Sequence, residues 1–368
     1  MLAGAGLSMP RAALAQDSTA SKPWYEELAV NAFLSTTYSY NFNQPPTHTN
    51  AYRVFDFADN TFQIDVAELV IQHAAAKPGE GGFRADLEAG SSIPRVSAAS
   101  GLFRDPATGV AQDFDLQQAF ATYVAPLGSG LRVDAGKFVT FCGSEVIEGY
   151  DGWNDNATRS FLFGYAIPFT HTGVRASYAF GSAVSALAML ANGWDDAVDN
   201  NAGKTCGAQL ALTPAAAFSI TFNGLYGAEQ PGNDHNKRSL GDVVVTIKPA
   251  AKLTLTLNGD YGTEEGLLAP ASDRSASWSG GAAYVRWQGG PPFALIARGE
   301  VFHDPDGVRT GLAQTLSEIT LTPEWRVSPR FVLRADLRTD HSTRSAFPSS
   351  SGMKADQTTV LVNALASF

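Results

Sequence analysis

Residues 251–262, AKLTLTLNGDYG, set Leu253, Leu255, Leu257 and Tyr261 against Thr254, Thr256, Asn258 and Asp260. Apolar and polar side chains alternate with period two, so an extended chain shows one apolar and one polar face. A helix would scatter the same leucines around its axis. Residues 216–227 repeat the pattern, with Phe218, Ile220, Phe222 and Tyr226 against Ser219, Thr221 and Asn223. Both stretches read as β-strands with one side in an apolar medium.

Outward from these, segments bounded by Gly, Pro, Asn or Asp recur until there are sixteen: 30–42, 61–74, 82–91, 114–125, 130–139, 172–180, 183–193, 205–213, 216–227, 239–248, 251–262, 276–287, 293–303, 313–325, 330–340 and 357–368. The odd-numbered connections run from 9 to 32 residues and the even-numbered ones from 2 to 7. Outer-membrane barrels have this asymmetry, with an even number of antiparallel strands, short periplasmic turns and long extracellular loops. A soluble sandwich, barrel or propeller has no reason to keep all its short turns on one side. The expected fold is all-β, a transmembrane antiparallel β-barrel of about 16 strands, with residues 30–368 as its single domain. Strands two, four and seven alternate poorly, for example at Glu68 to Ile71, which predicts bulges there.

Composition agrees. Glycine is abundant at 35 residues and only 17% of the chain is charged, which favours strands and turns over helices. The net charge of −10 argues against nucleic acid, whose phosphates need a basic face. After the N-terminus, no run of 18 uncharged apolar residues offers a transmembrane helix. A membrane protein of this kind must then close a barrel, the other way to satisfy every backbone group in lipid. Residues 1–15, small and apolar and ending in Ala13-Leu14-Ala15, read as the remnant of a signal peptide. Residues 16–29 would be a periplasmic segment.

If the apolar parity faces lipid, the other parity lines the lumen. It carries Arg84, Asp86 and Glu88, then Arg132, Asp134 and Arg175, then Arg286, Arg298, Glu300, Glu318, Arg334, Asp336 and Arg338. Dry burial of so many charges is costly, so the lumen is expected to be wet, and sixteen strands make a cylinder wide enough for water. The alternative is a salt-bridge network that plugs the barrel. The longest connection, 140–171, carries Glu145, Glu148, Asp151 and Asp155 before its first basic residue, Arg159, and seven aromatic residues. It is expected to fold inward as a constriction, its acids opposite Arg84, Arg132, Arg298 and Arg334. Opposed charges would set ion preference, and the overall acidity favours cations mildly.

Several phrases together, GLRVDAGKFVT at 130–140, GSEVIEGYDGWN at 143–154, TRSFLFGYAIPFTHTGVRASY at 158–178 and NGWDD at 192–196, resemble the OmpL-like β-barrel porins of Gram-negative bacteria. GFRADLEAG at 82–90 and the terminal strand extend the resemblance over nearly the whole chain after residue 30. It implies an outer-membrane pore for passive diffusion of small hydrophilic solutes and ions. The expected partners are outer-membrane lipid and lipopolysaccharide, the barrel assembly machinery and those solutes, with a homo-oligomer left open and no cofactor. Cys142 stands where the family more often has Pro or a small residue.

Other candidates read as structural. Cys206 shares parity with lipid-facing Ala208 and Leu210, which disfavours a disulfide to Cys142. His171 has no ligand at metal-binding spacing, and Asp195, Asp196 and Asp199 lack a calcium-loop pattern. The rival classes are a structural or adhesive barrel, which would not conduct, and a phospholipase-like barrel enzyme. The enzyme would need a Ser and a His together on the outer face, where the strand parity places no His, so no catalytic residue is expected. The last strand, TTVLVNALASF, sets Val360, Val362, Ala364, Ala366 and Phe368 on one face, and the terminal aromatic resembles the recognition signal of outer-membrane barrels. Deleting Phe368 removes little packing but is expected to lower the amount of folded protein in outer-membrane fractions severalfold, measured by immunoblot. Wild-type levels would remove the signal role.

Overall fold

The computed structural model describes residues 24–96, 102–105, 108–268 and 274–368. The signal remnant and most of segment 16–29 lie outside these. After a short 3-10 turn at Trp24–Glu27 come β1 (Ala29–Asn41), β2 (Thr61–His73), β3 (Gly81–Ala89), β4 (Phe114–Ala125), β5 (Leu131–Val139) and β6 (Thr170–Ala179). Next are β7 (Val184–Ala191), β8 (Thr205–Ala215), β9 (Phe218–Gly227), β10 (Arg238–Ala250), β11 (Leu253–Glu264) and β12 (Ala276–Gly290). The chain continues with β13 (Phe293–Asp304), β14 (Gln314–Ser328), β15 (Phe331–Ser342), a small hairpin of β16 (Phe347–Ser349) and β17 (Gly352–Lys354), and β18 (Asp356–Ser367).

Every strand but the hairpin pairs antiparallel with its neighbours, and β18 pairs with β1, closing a barrel of sixteen strands. Phe368 extends the closure, exchanging backbone hydrogen bonds with Ala32 at 3.0 and 2.8 Å. Closure leaves no unpaired edge, the condition for strands to cross a hydrocarbon layer. No helix among the described residues is long and apolar enough to cross a membrane.

The outer face suits lipid. Phe62, Ile64, Leu257, Ile319, Leu337 and Val362 are exposed there, a surface that would aggregate in water. Outward aromatics gather at the two ends. Tyr38, Phe62, Tyr226 and Tyr261 stand near the long loops, and Tyr123, Phe218, Trp287, Phe293, Trp325 and Phe331 near the short turns. Such girdles mark the two membrane interfaces of a barrel.

Two of the three expected bulges are present. In β2 the extra residue is Asp65, a few positions before Glu68, and in β4 it is Gln117. Strand β7 has none: its register with β6 and β8 is continuous. Its alternation is weak because the inward side is apolar too. Met189 is buried and Leu187 packs beside it, against the aromatics of a long loop. The sequence segmentation also missed the β16–β17 hairpin, which presses the buried Phe347 edge-on against Tyr52, their ring centres 5.7 Å apart.

An epitope inserted after Asn233, in the loop between β9 and β10, is expected to bind antibody on intact cells. One inserted after Ala216, in the turn between β8 and β9, should be reached only after permeabilisation. Reversed accessibilities would invert the orientation.

Candidate functional site

Residues 140–169, between β5 and β6, run through the barrel interior, where every backbone N–H and C=O must find a partner. The wall provides them. Gly143 N–H donates to Asp242 and Ser144 N–H to Asn258, both at 3.0 Å, and Tyr150 N–H donates to Glu68 at 2.6 Å. Asp336 accepts from the amides of Ala157 and Thr158 and from the Thr158 hydroxyl, at 2.7–3.2 Å. Glu300 accepts from Phe161 and Leu162 N–H at 2.6 and 3.2 Å. This carboxylate caps the free donors that open the π-helical turn Leu162–Ala166.

Wall arginines bind the carbonyls. Arg298 donates to Thr158 O at 2.6 Å, Arg334 to Asn154 O and Arg338 to Arg159 O. At the far end of the turn, Arg309 donates to Tyr165 O at 2.6 Å and the Trp278 indole to Ala166 O at 3.1 Å. Phe161, Leu162, Phe163, Ile167 and Phe169 fill the space between, against Met189, Leu225, Trp278 and Phe302 of the wall.

The four loop acids have definite partners. Glu145 meets Arg298 at 2.9 Å and the Tyr284 hydroxyl at 3.0 Å. Glu148 meets Arg334 at 2.6 Å and Arg159 at 3.2 Å. Asp151 meets Arg84 at 2.5 Å, and Asp155 meets Arg286 at 2.7 Å. Arg132, expected opposite these acids, instead holds Asp134 at 2.9 Å on its own strand. Arg159 is not an open constriction residue either, because it is buried with Glu148 and its guanidinium sits 5.0 Å from the Phe55 ring.

Part of the charged wall, expected to be wet, is buried in salt bridges instead. Arg298, Glu300, Glu318, Arg334, Asp336 and Arg338 are all buried, mostly in a network beneath the loop: Arg298–Glu318 at 2.6 Å, Arg338–Asp340 at 2.6 Å and Arg338–Glu318 at 3.6 Å. Asp86 and Glu88 are buried as well. Solvent reaches the opposite side. There, cavities of about 250 and 350 Å³ share Arg84, Gln118, Val139 and Asp151, and the larger adds Arg132 and Arg175. Asp151, with 61% of its side chain exposed, is the most open of the four loop acids; Glu145 and Glu148 keep 3% and 2%.

Other participants escaped the sequence reading. Glu68 was hidden by the broken alternation of β2. The first long loop, residues 42–60, also turns inward, with Arg53 on Asp340 at 2.5 Å and Phe55 against Phe163. The only sequence signal was a charged and aromatic loop, and it resembled several others. His171 is buried between Gly193 O and the Thr140 hydroxyl. Cys142 is buried in the loop core while Cys206 faces outward, both as free thiols. The expectation of no His on the outer face was wrong. His303 stands outside on the outward parity of its expected strand, and His341, paired with Asp356 at 2.8 Å, stands outside because β15 runs two residues past its expected end.

Sixteen antiparallel strands closed around a charged interior, with an apolar outer face between aromatic girdles, define a transmembrane β-barrel channel of the bacterial outer membrane. Residues 27–368 match the family described as "Putative beta-barrel porin-2, OmpL-like", and the chain belongs to it. It is a porin. No curated protein matches it in sequence. Among solved structures, an anion-selective porin from Comamonas acidovorans is similar, with TM-score 0.62 and 10% identity over 93% of this chain and 99% of that one. Salmonella typhi OmpF in complex with daunomycin has TM-score 0.62 and 11% identity over 93% and 97%. In-vitro folded Vibrio cholerae OmpT in its trimer form has TM-score 0.58 and 10% identity over 93% and 99%.

Burial pushes the Glu148 carboxyl up, but Arg159 and Arg334 outweigh it and hold the group below the ordinary glutamate range. Its docking contribution is therefore complete above that range and is lost as pH falls through the lower folded value. Glu148→Gln leaves two buried arginines without their carboxylate, at a cost of about 3–5 kcal/mol, borne by the loop. The variant is expected to keep a folded barrel by heat-modifiable gel migration while residues 140–169 become protease-sensitive and open-channel noise rises. Wild-type protease resistance would mean that the pair does not hold the loop.

Proposed function

We propose that solutes cross this porin by passive diffusion between the inward loop and the β2–β6 wall, with the Arg84–Asp151 pair at the narrowest point. The observation that carries the proposal is that two solvent-reached cavities meet at this pair, whereas the β13–β15 side is packed by the loop. Of the loop acids, Asp151 is the most exposed and stands on this path, so it contributes most to ion preference. Asp155, 39% exposed, lines another cavity of about 270 Å³ beside Thr256 and Tyr284, and Glu145 and Glu148 act as anchors. We take the working unit to be a homo-oligomer, as for the trimer form of the similar Vibrio protein.

The rival enzyme reading has one observation in its favour. Ser317, His341 and Asp356 are cross-strand neighbours in one outward row on β14, β15 and β18. A hydrolase needs the hydroxyl on the imidazole and donors for an oxyanion. The Ser317 hydroxyl makes no hydrogen bond to His341, and amides in the middle of a sheet are committed to its ladder. The proposal is therefore a channel without hydrolytic chemistry. Purified protein should release no product from a fluorescent short-chain phospholipid, while forming channels in planar bilayers. Asp151→Asn should shift the reversal potential toward anions, most clearly at 0.01 M salt, where the Debye length is about 30 Å. An unchanged reversal potential there would place the path elsewhere, and lipid hydrolysis lost in Ser317→Ala would revive the enzyme.

A further inference from the structure

On the open side of the lumen, one carboxylate is shared by two guanidinium groups. Asp134 accepts from Arg132 Nε at 2.9 Å, from Arg175 Nε at 3.0 Å and from the Thr122 hydroxyl at 2.6 Å. Arg132 also donates from Nη2 to Thr122 at 3.1 Å. Three of the roughly four acceptor sites of the carboxylate are thereby occupied, and each arginine is held through its Nε. Arg175 is further fixed by aromatic rings, its guanidinium carbon 4.4 Å from the Phe138 centre and 5.5 Å from the Phe120 centre. Both terminal nitrogens of Arg175 and Nη1 of Arg132 make no hydrogen bond among the described residues, and both residues line the cavity of about 350 Å³.

A pre-fixed guanidinium with two parallel donors matches the two oxygens of a planar carboxylate, and its rotamer entropy is already lost. The cavity lies within the roughly 300–1,000 Å³ range of small-ligand sites. The chain already shows the chemistry in the same cavity, where the loop carboxylate of Asp151 occupies Arg84 Nη1 at 2.5 Å. That pair lines the same cavity, where Arg132 and Arg175 present donors with no carboxylate on them besides Asp134 among the described residues. Arg132 and Arg175 share one carboxylate, whereas Arg84 on the same cavity is matched by both Asp86 and Asp151, so the free donors lie with Arg132 and Arg175.

We propose that Arg175 and Arg132 form a saturable binding site for small organic carboxylates on the diffusion path, which makes the porin a facilitated channel for such anions. The site rests on the proposed path along β2–β6 for its effect on transport, but not for binding itself. The site's specificity lies in the fixed fork of Arg175, so lysine, which keeps the charge and loses the two parallel donors and the ring contacts, should not replace it.

The test uses full-length protein in planar bilayers, with benzoate as probe and benzamide as its neutral counterpart. Benzoate is expected to reduce KCl conductance along a saturating curve, and benzamide to have no effect. Arg175→Lys should raise the half-saturating concentration about tenfold or more, and Arg132→Gln should raise it less. Heat-modifiable migration checks that each variant is folded, and calorimetric titration of benzoate into detergent-purified protein measures binding without transport. Equal effects of benzoate and benzamide, or an unchanged curve in folded Arg175→Lys, would overturn the site. Titration heat without current block would keep the site and overturn the path, and a folded wild-type protein that gives neither overturns the proposal.

Discussion

The constraint on which this structure depends is the need of a chain segment inside a barrel to satisfy its own backbone. Residues 140–169 lack a sheet to pair with, and their amides and carbonyls instead meet wall side chains: Asp242, Asn258, Glu68, Asp336 and Glu300 for the donors, Arg298, Arg334 and Arg338 for the acceptors. An unsatisfied buried group costs about 1–3 kcal/mol, so releasing this loop would forfeit many such terms together. The charges on the inner wall thus hold the loop as well as contacting solvent.

That double use divides the lumen. On β13–β15 the ions neutralise one another under the loop, with the Arg298 and Arg338 side chains inaccessible to solvent. Buried pairs of this kind add little net stability over apolar packing, yet they are costly to break singly. They therefore specify where the loop lies more than how stable the barrel is. On β3–β6 the arginines keep contact with solvent, and Arg132 exposes 42% of its side chain. The inner wall is thus asymmetric, packed beneath the loop on β13–β15 and open to solvent on β3–β6.

The outer face obeys a simpler rule. Lipid makes no hydrogen bonds, so closure by β1 with β18 and exposed apolar side chains are both demanded by the medium. Outward polar residues such as His303, His341 and Asp356 stand at the loop end of their strands, where the membrane gives way to its polar interface.

Period-two alternation determined the sixteen strands, because the medium on each side of the wall acts on each residue separately, and alternation records that directly. The loop asymmetry determined the topology, and the parity of Arg84, Asp134, Arg298 and Arg334 put them inside. What the tertiary structure alone decided is pairing: Glu148 with Arg334, Asp155 with Arg286 rather than Arg132, and Asp134 shared by two arginines. Partners in such interior pairs lie up to 287 residues apart in the chain, as Arg53 and Asp340 do. The choice of partner follows from which strands the closed barrel brings against the loop and against each other, β15 for Arg334, β12 for Arg286 and adjacent β5 and β6 for Asp134 and Arg175. Broken alternation in β2 and β4 marks the bulges but not the partners, and in β7 packing against the loop replaced the polar face that alternation requires.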